Sequence, residues 1–179
     1  MEICQPPATR AGTNNEELLN SDTYLGLQHE RLEGDEYYEM LDEFMAAVYN
    51  RYPNVFLQFE DFSSDKAMDI LNRYRDDYLC FNDDVQGTGA VSVAGLMSAL
   101  RLQGKPVDAL KDQRILIAGA GSAGIGVATA LADAMVLQGL SREDVRMSLF
   151  LSYPTPSRRS LTYITKYKIK IVLCAILRL

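Results

Sequence analysis

Tryptophan is absent from the 179 residues, histidine occurs once and cysteine three times. Cys4, Cys80 and Cys174 are widely spaced and lack metal-ligand spacing, which excludes a disulfide framework and suits a reducing compartment. His29 lies in a polar stretch and reads as a surface residue rather than a ligand. Long hydrophobic runs are missing too. Residues 169–177 are apolar apart from Lys170, far short of the roughly 20 residues that a membrane span requires. No lysine precedes Lys66, and no acid follows Asp144. The net charge of −6 argues against nonspecific nucleic-acid binding, which needs clusters of Lys and Arg. Residues 1–20 hold one Arg, three Glu and no apolar core, unlike a signal or transit peptide, and read as a flexible lead-in.

Two acidic motifs stand out against these absences. Phe59-Glu60-Asp61-Phe62 is answered about twenty residues later by Phe81-Asn82-Asp83-Asp84-Val85-Gln86-Gly87-Thr88. Each ends a short apolar segment, Val55 to Phe59 and Tyr78 to Phe81, that reads as a strand. Between them, Ser63 to Tyr78 carries Ala67, Ile70, Leu71, Tyr74 and Tyr78 at helical spacing behind a serine cap. Strand, helix, strand makes a βαβ unit with parallel strands, so Glu60, Asp61, Asp83 and Asp84 are expected at one sheet edge. Four carboxylates together repel unless a cation or protons neutralise them, and a hard divalent ion is the simplest resolution. The alternative is solvated surface, since the chain has 24 Asp and Glu. Gln86-Gly87-Thr88 reads as the turn into a helix over Thr88 to Leu102, either shaping a site or merely capping that helix.

A third motif follows. Ile115-Leu116-Ile117-Ala118 reads as a strand, and Gly119-Ala120-Gly121-Ser122-Ala123-Gly124 opens a helix from Ser122 to about Gln138. GxGxxG in that context is the dinucleotide fingerprint, although such turns also serve plain packing. Gly119 permits the turn, Gly121 lets backbone approach a pyrophosphate, and Gly124 lets helix and strand pack closely. The helix N-terminus offers free N–H groups and a partial positive charge.

Taken in this order and spacing, FEDF, FNDDVQGT and the glycine turn resemble malic enzyme. The resemblance starts near Asp22-Thr23-Tyr24-Leu25-Gly26-Leu27, includes Leu41-Asp42-Glu43-Phe44-Met45, and runs to about Arg146. It implies oxidation of L-malate with NAD or NADP and decarboxylation to pyruvate and CO₂, with Mg²⁺ or Mn²⁺. By position it implies Glu60, Asp61 and Asp84 as metal-binding carboxylates and Asp83 as an active-site aspartate. Gly119, Ala120, Gly121, Ser122, Ala123 and Gly124 match the cofactor turn. It also implies homo-oligomers, no membrane or nucleic-acid partner, and an intracellular setting, whether cytoplasm, mitochondrion or plastid.

The family's general base and acid, a lysine and a tyrosine upstream of FEDF, have no counterpart here. Lys66 follows FEDF and reads as surface, and Tyr24, Tyr37 and Tyr38 stand outside the motif that would carry the acid. Met147 to Leu151 starts a second strand, yet Ser152-Tyr153-Pro154-Thr155-Pro156 follows where an acid would meet the ribose. Residues 152–179 hold six of the 18 Lys and Arg and no acid, and read as a basic tail foreign to the family. The expected fold is α/β, a parallel sheet with a Rossmann-type nucleotide turn, truncated at both ends. Residues 21–81 would end a substrate-side domain that includes a helix over Asp35 to Tyr49, and 82–151 would open the cofactor domain. A catalytically silent subunit that binds metal or nucleotide and joins full-length subunits is the competing expectation.

Overall fold

The structure, a computed structural model, describes residues 11–152 and 171–174. The chain forms two compact units that divide between Leu57 and Gln58.

In the first unit, Asn15 starts α1 (Glu16–Leu19) by accepting the Glu17 N–H at 2.9 Å on its side-chain oxygen. Part of the expected flexible lead-in is tied down: Thr13 N–H donates to His29 O at 3.0 Å and Leu32 N–H to Ala11 O at 2.8 Å. Helix α2 (Gly34–Arg51) contains the expected segment and extends it by a residue or two at each end. Tyr37, Leu41 and Met45 are its buried stripe, spaced by four residues and therefore on one face.

The second unit begins one residue into β1 (Leu57–Phe59) and continues through α3 (Ser64–Tyr74) and β2 (Cys80–Asn82), and β1 and β2 pair. Both strands are shorter than their sequence pattern, and α3 ends before Tyr78. The Tyr78 ring nevertheless packs edge-on against Tyr74 at 6.0 Å, so the apolar stripe continues where the helix has stopped. Phe59 stacks on Tyr74 and meets Phe62 edge-on, which fixes the end of β1 over α3. Ser63 stands at the N-cap position of α3, but its side chain makes no cap hydrogen bond. Its hydroxyl serves the Asp65 carboxylate instead and is the main reason that Asp65 is held below the usual carboxylate range, helped by its own backbone and Lys66 against desolvation.

A π-helical turn, Asp83–Gly87, runs directly from β2 into α4 (Thr88–Leu102). After a 3₁₀ turn over Val107–Asp112 come β3 (Ile115–Ala118), α5 (Ser122–Leu137), α6 (Arg142–Ser148) and β4 (Leu149–Ser152). Strand β4 is parallel to β3, with Ile115 opposite Leu149 and Ala118 opposite Ser152. β3–α5–α6–β4 is therefore a parallel crossover of the kind a nucleotide-binding sheet is built from. On the other side of β3 lies β5 (Ile171–Cys174), also parallel, from the segment expected to be foreign to the fold. Ile115, Leu116 and Ile117 are all buried, as a central parallel strand covered on both faces requires. Around it Leu96, Leu100, Leu110, Val127, Leu131, Met135 and Val145 complete the main core. Among the described residues no helix is long and apolar enough to cross a membrane.

Candidate functional site

The acidic motifs meet where β1 and β2 end. Asp61 takes φ 57°, a left-handed conformation uncommon for a non-glycine residue, and its N–H donates to Asp84 Oδ2 at 2.8 Å. Asp61 and Asp84 are thus neighbours across 23 residues of chain. Glu60 is exposed, and its carboxylate accepts from the Gln58 side-chain amide. Asp83 and Asp84 are half-buried at the start of the π-turn. The Asp83 carboxylate lies over Gly87, in space that a side chain at residue 87 would fill.

The expected convergence of four carboxylates is realised for one pair, and through a backbone amide rather than two side chains. Among the described residues no group of three or more His, Cys, Asp or Glu stands together to hold a metal ion. Like charges repel, and these acids take separate donors, Gln58 for Glu60 and the Asp61 N–H for Asp84. As arranged, Glu60, Asp61 and Asp84 do not by themselves complete the oxygen set of a divalent cation.

The nucleotide turn follows the strand-to-helix plan. Strand β3 delivers the chain to Gly119, whose φ of 135° is a glycine conformation. Gly121 is the N-cap of α5 and supplies no side-chain cap of its own. Ser122 is buried at its first position. Its N–H meets one side chain, the Ser64 hydroxyl at 3.4 Å, and the two serine oxygens are also 3.4 Å apart. Ser64 begins α3, so the chain just after FEDF reaches the opening of the glycine turn.

Gly126 adds a second link. A Cβ there would collide with the Val85 carbonyl, so α5 leans directly on the turn that carries Asp83 and Asp84. Gly89 faces the same contact, where a Cβ would come within 2.9 Å of Ala130 Cβ and Gly126 O. Ser64 and the packing role of Gly126 escape a motif reading. Small residues at 126 and 130, one helical turn apart, were the available signal for the second.

Cys80, half-buried in β2, has its thiol pushed up from the ordinary range by desolvation and is a neutral thiol rather than a reactive thiolate at pH 7.

Comparison with known proteins matches residues 4–75 to the family model for the malic enzyme N-terminal domain and residues 85–153 to that for the malic enzyme NAD binding domain. The NAD-dependent malic enzyme of Proteus mirabilis (strain HI4320) is 49% identical over 146 residues, 82% of this chain and 25% of the relative. NAD-dependent malic enzyme 1, mitochondrial, of Arabidopsis thaliana is 54% identical over 130 residues, 73% of this chain and 21% of the relative. The corresponding mitochondrial protein of Solanum tuberosum is 52% identical with the same coverage. The chain spans about a quarter or less of the length of these curated relatives.

Proposed function

The chain belongs to the malic enzyme family, and from that premise we propose that it carries the NAD turn and the acidic pair of an oxidoreductase that converts L-malate to pyruvate and CO₂. One juxtaposition supports this reading: Ser64, four positions after Glu60, lies against Ser122 at the mouth of the glycine turn. The acidic segment and the nucleotide turn thereby meet within one compact unit.

The turn fits a dinucleotide. Gly119, Ala120, Gly121, Ser122, Ala123 and Gly124 would hold the pyrophosphate on the uncapped amides of α5, where the helix dipole favours negative charge. A phosphate oxygen would take the place of the Ser64 hydroxyl at the Ser122 N–H. NAD⁺, when bound, supplies the acceptor for the hydride that leaves C2 of malate. With the C2 hydroxyl proton lost to a base, the oxidation yields a β-keto acid that loses CO₂, and protonation of the remaining enolate gives pyruvate. Asp83 is the active-site aspartate of this reading, held over Gly87 beside the glycine-turn helix. Glu60, Asp61 and Asp84 remain the candidate ligands for Mg²⁺ or Mn²⁺. No step is drawn through the ion, because those three do not gather into a complete set. NADP in place of NAD and assembly into homo-oligomers belong to the same proposal, as does an intracellular setting.

The competing reading is a nucleotide-binding subunit that associates with full-length subunits without turning over malate itself.

Two assays on the purified chain separate the possibilities. In a fluorescence titration with NADH, the unsubstituted chain should bind and Gly121→Val should weaken binding by about ten-fold or more, because a side chain blocks the backbone's approach to the pyrophosphate. A folded chain that does not bind NADH would sink both readings. NADH formation with L-malate and Mn²⁺, abolished by chelator, supports the enzyme; binding without turnover supports the subunit.

A further inference from the structure

Asn82 closes β2 with no exposed surface, and its side-chain Nδ2 has no hydrogen-bond partner among the described residues. A buried amide donor left unpaired is costly and asks for a reason. Capping alone does not supply one. Asn82 Oδ1 accepts the Val85 N–H at 3.0 Å, a task that Asp performs as well without an orphan donor. Aspartate there would, however, set a third carboxylate next to Asp83 and Asp84, and the three would repel. The amide is a neutral acceptor of the right reach.

The backbone of the same residue makes a second bond. Asn82 N–H donates to Gln86 Oε1 at 3.0 Å, so residues 82 and 86 close on one another across the π-turn. Asp83 and Asp84 lie inside that closure. A π-turn is the rarest helical geometry and occurs mostly as single turns, frequently at functional sites. Two bonds from one residue are what pin it here. Beyond the closure, Asp84 Oδ2 accepts the N–H of Asp61, itself in a left-handed conformation that needs support.

We propose that Asn82 and Gln86 are positioning residues: their closure across the π-turn holds the Asp84 carboxylate on the Asp61 N–H and so keeps the two acidic motifs in register. The inference rests on the proposed function for its purpose, since it takes those motifs to be part of the site. It acts through Asp84, and neither positioning residue touches a reactant.

Amide hydrogen exchange of the full 179-residue chain, read by NMR, tests it. Gln86 is exposed, so substitutions there leave the core intact. Gln86→Met keeps the length and removes the acceptor; the Asp61 amide should then exchange about five- to ten-fold faster, the worth of one ordinary hydrogen bond. Gln86→Glu retains an acceptor, and at this exposed position solvent screens the added charge in a way the buried site of Asn82 would not, so it should restore part of the protection. The amides of Ile115–Ala118 should not change in either variant. An unmoved Asp61 amide in Gln86→Met overturns the proposal, and so does a rise shared by Ile115–Ala118, which would report general loosening. NADH binding by the unsubstituted chain judges the function separately. A chain that fails to bind NADH yet shows the Gln86 pattern loses the function and keeps the brace.

Discussion

Cys80 shows burial acting on a single titratable side chain. Its thiol is raised by desolvation, so the folded state disfavours the thiolate. The sign follows from linkage: a folded pKa above the unfolded one gives stability that is full below the unfolded value and is lost as pH rises through the folded one. Thermal melting should therefore fall as pH climbs above about 9, and Cys80→Ser should fall less steeply over the same window. Equal slopes for the two proteins would show that Cys80 has no part in the alkaline loss. At this scale the sequence was legible where a residue's chemistry is local. Asp61 and Asp84 are neighbours, as a strand–helix–strand reading placed them. Ser63 stands at the expected cap position, but its side-chain oxygen accepts no backbone N–H, because its hydroxyl is turned to donate to the Asp65 carboxylate instead.

Among the elements, α4, β3 and α5 were legible nearly residue by residue. Their ends carry strong local signals: Gly87-Thr88 and Gly104-Lys105-Pro106 around α4, and the glycine turn between β3 and α5. The π-turn was not legible. It depends on the Asn82–Gln86 closure and on a glycine about forty residues away that lets α5 approach Val85. That contact carries its own prediction. Gly126→Ala drives a Cβ into a backbone carbonyl that cannot rotate aside, and overpacking of this kind costs about 1–3 kcal/mol. For a chain of this size the melting temperature should drop by about 2–10 °C. Gly95→Ala is the control on α4: its Cβ enters open space, and removing a helical glycine should stabilise by about 0.5–1 kcal/mol. Calorimetry that found both changes alike would mean that α5 does not bear on the π-turn.

For the whole molecule the open quantity is which dinucleotide the fold prefers, and the distribution of charge decides it. In a nucleotide-binding sheet the strand after the glycine-turn helix ends in an acid that bonds the ribose hydroxyls and repels a 2′-phosphate. Strand β4 occupies that place, parallel to β3, with Ser152 level with Ala118 just before the glycine turn. All 24 acids of the chain lie at or before Asp144, and six of its 18 Lys and Arg lie after Ser152. A position that should repel the extra phosphate of NADP therefore has no carboxylate to do so. Although the relatives are NAD-dependent malic enzymes, the chain should bind NAD and NADP with affinities within about ten-fold of each other, a difference of no more than about 1.4 kcal/mol. Ser152→Asp, which restores an acid at the end of β4, should shift the ratio toward NAD by about ten-fold. Parallel titrations with the two reduced cofactors read both numbers. A preference for NAD beyond about a hundred-fold in the unsubstituted chain would mean that another group already excludes the phosphate, and Ser152→Asp should then change nothing.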